Sequence, residues 1–160
     1  MIKVHPTAYI DSTSLLGKNC EIDVGAKIGV KGLALKRIGL DHSQFKLREF
    51  KGVVVLKDNV HIGAGTIIQR GVTRNTVIGE GTKIAPMCSI GHDVIMGKNC
   101  RITGMNQISG YVEIGDNVYV APSCSILNRI KIGSNACIGI GSLVLHDVPA
   151  NKTVYGRPAK

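Results

Sequence analysis

I-G-E-G-T-K-I-A-P-M-C-S-I-G-H-D-V-I-M, Ile78 to Met96, opens a stretch reaching Pro149 in which an aliphatic residue returns at every sixth position for twelve repeats. Ile84, Ile90, Met96, Ile102, Ile108 and Ile114 carry the beat, and Val120, Ile126, Ile132, Ile138 and Val144 continue it. Four places after each aliphatic stands a second residue, usually smaller, such as Thr82, Cys88, Val94, Cys100, Asn106 and Val112. A helix would space its apolar residues near 3.6 and a half-buried strand would alternate them, so neither explains a period of six. A solenoid does. Each hexad reads as one short strand and a corner, with the aliphatic and the smaller residue both pointing inward, and three sides close a triangular turn of eighteen residues. Turns then stack as parallel strands about 4.8 Å apart around a column of Ile side chains. Glycine follows the aliphatic at positions such as Gly79, Gly91 and Gly115, where a chain turning a corner is expected to need permissive dihedrals.

The rest of the chain fits the same plan. Val4, Ile10, Leu16, Ile22 and Ile28 form a first run of hexads, with Ala8, Ser14, Cys20 and Ala26 as inward partners. The period breaks at Gly29 and resumes at Leu56, which makes 29–53 an excursion loop holding both phenylalanines, Phe45 and Phe50. Rings on a loop leaving a thin solenoid are expected to dock on its own coils or on a neighbouring subunit. A four-residue insertion, T-R-N-T, then separates the Leu56–Ile62–Ile68 run from Ile78 and should bulge one corner near Arg70 and Arg74. The expectation is one all-β domain over 1–160, a triangular prism interrupted by a single long loop.

Composition limits the function. Of 160 residues, 44% are hydrophobic and only 4% aromatic, which suits a narrow core of Ile, Val and Ala. No apolar run approaches the roughly 18 to 20 residues that span a bilayer, and the first residues do not read as a signal peptide, so the default location is the cytoplasm. Cys20, Cys88, Cys100 and Cys124 fall on the small inward position and read as core thiols, while Cys137 sits one place later and faces outward. There is no C-x-x-C pair or His cluster at zinc spacing, so no metal is expected. The net charge of +9 comes from scattered Lys and Arg, and with so few aromatics it argues against nucleic acid. It suits small phosphorylated ligands such as coenzyme A or a nucleotide sugar.

His92 is the sharpest chemical candidate, because the third place of Ile90-Gly91-His92-Asp93-Val94 lies at a corner and points outward. Asp93 beside it can hold or polarise the ring and make the imidazole a better base. Gly110, eighteen residues later, should lie one coil above on the same corner, with a backbone N–H open to a developing oxyanion. Asn128 follows after another eighteen. Arg101, one corner away, and Arg129 are candidate phosphate or acceptor contacts. Asn106 places an amide at an inward position, where corner carbonyls can satisfy it and where its closeness to His92 leaves a functional role open, and Lys36 and His42 in the excursion are further candidates to touch a substrate.

On these residues the chain resembles the left-handed β-helix, hexapeptide-repeat acyltransferase superfamily over nearly its whole length. H-I-G-A-G-T-I-I-Q-R-G-V-T-R-N-T-V-I-G, His61 to Gly79, is similar to the UDP-3-O-(3-hydroxyacyl)glucosamine N-acyltransferases of lipid A synthesis, insertion included. That group has a loop comparable to 29–53, a catalytic His in a motif like S-I-G-H-D-V and an oxyanion-hole glycine, which match His92 and Gly110. It has an Asp where Gln69 stands here and a further His where this chain has Arg129. The sugar-modifying acetyltransferases share the His followed by an acidic residue and an ending like V-P-A-N-K-T-V-Y-G-R-P-A-K, and their late coils and tail receive coenzyme A.

The resemblance implies a left-handed coil, a homotrimer with sites in the clefts between prisms, and transfer of an acyl group, with acetyl-CoA as donor, to an amine or hydroxyl of a nucleotide-linked sugar. Arg101, Asn128, Lys152 and Arg157 are then the expected donor contacts, and His42, Arg70 and Asn106 the expected acceptor contacts. The alternatives are a longer-chain N-acyltransferase of lipid A type fed by acyl carrier protein, or a non-catalytic or zinc-dependent β-helix.

Overall fold

The computed structural model describes residues 1–38 and 44–160; His42 therefore lies outside the described residues. The chain is a left-handed parallel β-helix whose three faces are sheets of eight, seven and six parallel strands. No helix occurs among the described residues, so none is long and apolar enough to cross a membrane. Strands at Lys83–Ile84, Arg101–Ile102 and Tyr119–Val120 build the first face, Ser89–Ile90 and Gln107–Ile108 the second, and Ile95–Met96 and Glu113–Ile114 the third. Ile90 pairs with Ile108 and Ile108 with Ile126, so vertical neighbours are eighteen residues apart. Ladder bonds such as Ser89 N–H to Asn106 O (2.8 Å) and Gln107 N–H to Cys124 O (2.9 Å) tie each coil to the next.

From Cys20 to Val148 both inward positions are buried as the hexad rhythm requires, while in the first coil Val4 is exposed and Ala8, Ile10, Ser14 and Leu16 are half-buried. Ile84, Ile90, Ile102, Ile108, Ile126 and Ile138 stack into one core, with the smaller fifth-place residues, Cys88, Cys100 and Cys124 included, sealed beside them. Each such Ile contributes about 1.5–3 kcal/mol by leaving water, which is what holds so thin a coil together.

The corner glycines have a different reason from the one their dihedrals suggested. The left-handed backbone falls two residues after them, at the fourth place of the corner: φ is 61° at Asp93, 54° at Asn99, 62° at Tyr111, 57° at Asn117 and 66° at Arg129. Asn tolerates that region well, whereas other side chains lose roughly 1–2 kcal/mol there. Gly91 is needed for room instead, because a Cβ on it would stand 2.6 Å from the Gly110 nitrogen of the coil above.

The two interruptions leave from the same edge. Ile28, Ile68 and Ile90 are stacked on the second face, and each is followed by the corner leading to the third. After Lys27–Val30 the chain departs and returns at Val54–Leu56; in the next coil it runs from Ile67–Gln69 to Thr76–Ile78 through the four extra residues. The excursion is not the plain loop expected of it. Leu35–Arg37 and Phe45–Leu47 form an antiparallel hairpin, with Leu35 opposite Leu47 and Arg37 opposite Phe45. Hairpin, bulge and the His92 corner therefore follow one another up a single edge.

Candidate active site

On that edge the third places read His92, Gly110, Asn128 and the fourth places Asp93, Tyr111, Arg129. The His92 Nδ1 lies 2.7 Å from Asp93 Oδ2. Asp93 is fully buried because the bulge wraps it: Oδ2 accepts from Val72 N–H (2.8 Å), and Oδ1 from Thr73 N–H, the Thr73 hydroxyl and Arg74 N–H (each 2.7 Å). Its own N–H donates to Thr76 Oγ1 at 2.9 Å. Burial by itself would push this carboxyl up. The bonds from Arg74 N–H, the Thr73 hydroxyl and the Val72 and Thr73 N–H groups outweigh it and hold the group at about 2, against an ordinary 3.8. An ionised Asp93 can only accept, so in the neutral imidazole Nδ1 carries the shared proton and Nε2 the free lone pair.

The rest of the ring is boxed in. Tyr111 meets it edge-on with centroids 5.1 Å apart and Phe50 with centroids 6.5 Å apart. Phe50 thus docks on its own coil, whereas Phe45 stays exposed. Gly110 covers the ring so closely that a Cβ there would lie 2.7 Å from Cε1 and 2.8 Å from Nε2. The Gly110 N–H meets no acceptor among the described residues. On the following edge the equivalent groups are capped from the coil above, Lys98 N–H by Asp116 Oδ1 (2.7 Å) and Asp116 N–H by Ser134 Oγ (3.0 Å). Gly110→Ala is expected to keep the coil folded, because the clash is with the His92 side chain and not with backbone, yet to displace the imidazole. A misplacement of that size costs on the order of 100-fold in rate, checked by comparing kcat with the thermal midpoint.

A cleft of about 230 Å³ opens over this group, walled by Leu33, Ala34, Leu35 and Arg48 of the hairpin segment and by Tyr111, Asn128 and Arg129 of the coils. A second His–carboxylate pair, His61 Nε2 to Asp23 Oδ2 at 2.9 Å, lies on the first face, but its side chains are 37% and 44% exposed against 19% and 0% for His92 and Asp93. A contact so open to water is weakly held. The built site is the one at His92.

His92, Asp93, Gly110, Asn128 and Arg129 are brought together. Six candidate contacts are elsewhere. Asn106 points inward, its Nδ2 donating to Thr103 O (2.7 Å) and its Oδ1 accepting from Cys124 N–H (2.7 Å), so the inward place spends the amide on corner backbone rather than on a substrate. Arg70 donates from Nε to Gly52 O (2.9 Å) and stitches the excursion's return to the coil instead of lining the cleft. Arg101 stands on the first face, 5.3 Å over the Tyr119 ring. Lys152 and Arg157 are exposed in the last coil and tail, outside the cleft walls. Lys36 is exposed on the hairpin near Lys46 and Lys51. Sequence reasoning missed Tyr111, although it stands eighteen residues after Asp93, and Thr73, whose role needed the bulge to be placed over Asp93. Arg48 had no periodic signal at all.

Residues 75–110 match the family model for the bacterial transferase hexapeptide (six repeats). The chain is a hexapeptide-repeat β-helix. Its hexapeptide coils are 48% identical over 149 residues to the UDP-3-O-acylglucosamine N-acyltransferase of Azorhizobium caulinodans, covering 93% of this chain and 41% of that protein. They are 45% identical over 147 residues to the same-named protein of Rhizobium meliloti, covering 92% and 41%. The chain thus spans about two fifths of the length of the curated relatives it matches. Among solved structures the coil is similar to UDP-N-acetylglucosamine O-acyltransferase (LpxA) from Moraxella catarrhalis, with a TM-score of 0.75 at 22% identity over 98% of this chain and 72% of that one. It is also similar to the acetyltransferase domain of PglB from Neisseria gonorrhoeae, solved in complex with acetyl coenzyme A, with a TM-score of 0.55 at 18% identity over 99% and 56%.

Proposed function

We propose that the chain is a cytoplasmic, homotrimeric acyltransferase that moves an acyl group, with acetyl-CoA as donor, from a thioester to an amine or hydroxyl of a nucleotide-linked sugar. One observation carries the reading: an imidazole whose Nδ1 is pinned to an ionised, fully buried Asp93 presents Nε2 against Gly110, whose N–H meets no acceptor among the described residues. Nε2 takes the acceptor's proton as its nitrogen or oxygen attacks the thioester carbon. The Gly110 N–H receives the charge on the carbonyl oxygen, and as the C–S bond breaks the thiolate leaves with the proton from His92. Asn128 and Arg129 stand on the same column to meet the donor or acceptor, while Lys152 and Arg157 are assigned to coenzyme A in the trimer, where a neighbouring subunit completes the cleft.

A second reading, a lipid A type enzyme taking a longer acyl chain from acyl carrier protein, is favoured by the 48% and 45% identities above and by Leu33 and Leu35, which are 76% and 44% exposed at the cleft. Purified protein incubated with nucleotide amino sugars and either acetyl-CoA or acyl carrier protein thioesters, followed by free-thiol release, separates the two. Thiol release with neither donor would reject both. Sedimentation of a monomer at micromolar concentration would reject the trimer.

A further inference from the structure

Two arginines from opposite walls of the cleft converge on one tyrosine. Arg48 of the hairpin segment donates from Nη1 to the Tyr111 hydroxyl at 2.9 Å. Arg129, one coil above Tyr111, lays its guanidinium carbon 4.6 Å over the ring centroid. Neither arginine has a carboxylate partner among the described residues. The positive charge around them is also less scattered than the whole-chain count suggests, since residues 31–53 carry six Lys and Arg against two Asp and Glu.

The backbone bears on two of the same residues. On the neighbouring edge the left-handed corner position is filled by Asn99, Asn117 and Asn135, the residue that suits it. On the cleft edge the same position holds Tyr111 and Arg129, with φ of 62° and 66°. A strained position that asparagine would relieve is occupied by two side chains that both reach into the cleft. Met87 and Met105 hold the same position on the third edge, with φ of 60° and 61°, so it is the contacts with Tyr111 and not the strain alone that set the cleft residues apart.

We infer that Arg48 and Arg129 form a clamp for a diphosphate on the ligand that enters the His92 cleft. The planar guanidinium matches phosphate oxygens with paired N–H donors. Tyr111 holds both forks in place beforehand, so less side-chain freedom is lost when the anion arrives. The choice of ligand rests on the acyl-transfer reading, in which both the nucleotide-linked sugar and coenzyme A carry a diphosphate. The clamp itself rests on the arginines.

Titration calorimetry with inorganic pyrophosphate, uridine diphosphate and coenzyme A tests it on the wild-type protein, Arg48→Gln and Arg129→Asn. Each substitution is expected to weaken pyrophosphate and at least one nucleotide ligand by about tenfold to a hundredfold, the loss of one charge-assisted contact. Loss confined to uridine diphosphate places the acceptor in the clamp, and loss confined to coenzyme A places the donor there. Arg129→Asn should melt at or above the wild-type temperature, so that weaker binding cannot be put down to unfolding. Unchanged affinities in both variants, a loss in only one of them, or no binding of any probe to the wild type would overturn the clamp. Because binding is read without turnover, the two readings fail separately: weakened binding with no acyl transfer rejects the enzyme, and acyl transfer with unaltered binding rejects the clamp.

Discussion

His92→Ala should lower kcat by about 100-fold to 10,000-fold, the usual contribution of a positioned general base, while the thermal midpoint stays within a few degrees of the wild type. The separation follows from where the side chain sits. His92 stands on an edge outside the Ile column, so removing its ring empties the cleft floor without opening the core. The bonds that hold Asp93 to Val72, Thr73 and Arg74 do not pass through the imidazole. Full turnover in the purified variant, measured by thiol release, would remove His92 from the mechanism.

Asp93→Asn should damage both activity and stability, because the same carboxylate orients the base and pins the bulge. An amide has one accepting end. Whichever way it is turned, its NH2 faces donors: the Thr73 and Arg74 N–H groups on one side, or Val72 N–H and His92 on the other. Leaving such groups unpaired in a buried place costs about 3–5 kcal/mol, which for a chain of this length lowers the midpoint by roughly 10 °C. An NH2 donating to Nδ1 also moves the ring proton to Nε2 and abolishes the base, for a loss of about 100-fold to 10,000-fold in kcat. A variant that melts like the wild type and turns over normally would show that Asp93 does neither task.

The same bonds set an acid limit. Because the folded carboxyl is held at about 2, below its ordinary 3.8, the stability it contributes, about 2.5 kcal/mol at 1.36 kcal/mol per pH unit, is fully present above about pH 4. It is lost as pH falls through about 2. In Asp93→Asn that part of the acid dependence should be missing, as read from midpoints between pH 2 and pH 5.

How much of this could be read in advance differs from residue to residue. His92 and Gly110 were placed by counting alone, since a strict period of six puts residues eighteen apart directly above one another, as the pairing of Ile90 with Ile108 bears out. Asp93 was visible as a neighbour of the imidazole. Its burial and its hold on Val72, Thr73 and Arg74 were not, because that requires knowing that four inserted residues fold back over the next coil. Asn106 stays open between two readings for a related reason: a polar residue at an inward place can serve a substrate or the corner backbone, and the folded corner decides for the second, since Thr103 and Cys124 use up its amide.

A rhythm of aliphatic and small residues is enough to specify the prism, since apolar side chains recurring every sixth position can all leave water only if the chain winds into three sides. It also dictates which residues stand on the edges. What the rhythm leaves open is everything that departs from it. The excursion and the T-R-N-T insertion share one edge, a hairpin carries Arg48 to Tyr111, and Phe50 closes on His92; these contacts join residues whose separation in the chain follows no repeat. They are settled by packing and hydrogen bonding in three dimensions, where the bare edge of a thin coil offers inserted segments few other surfaces on which to bury their rings and satisfy their polar groups.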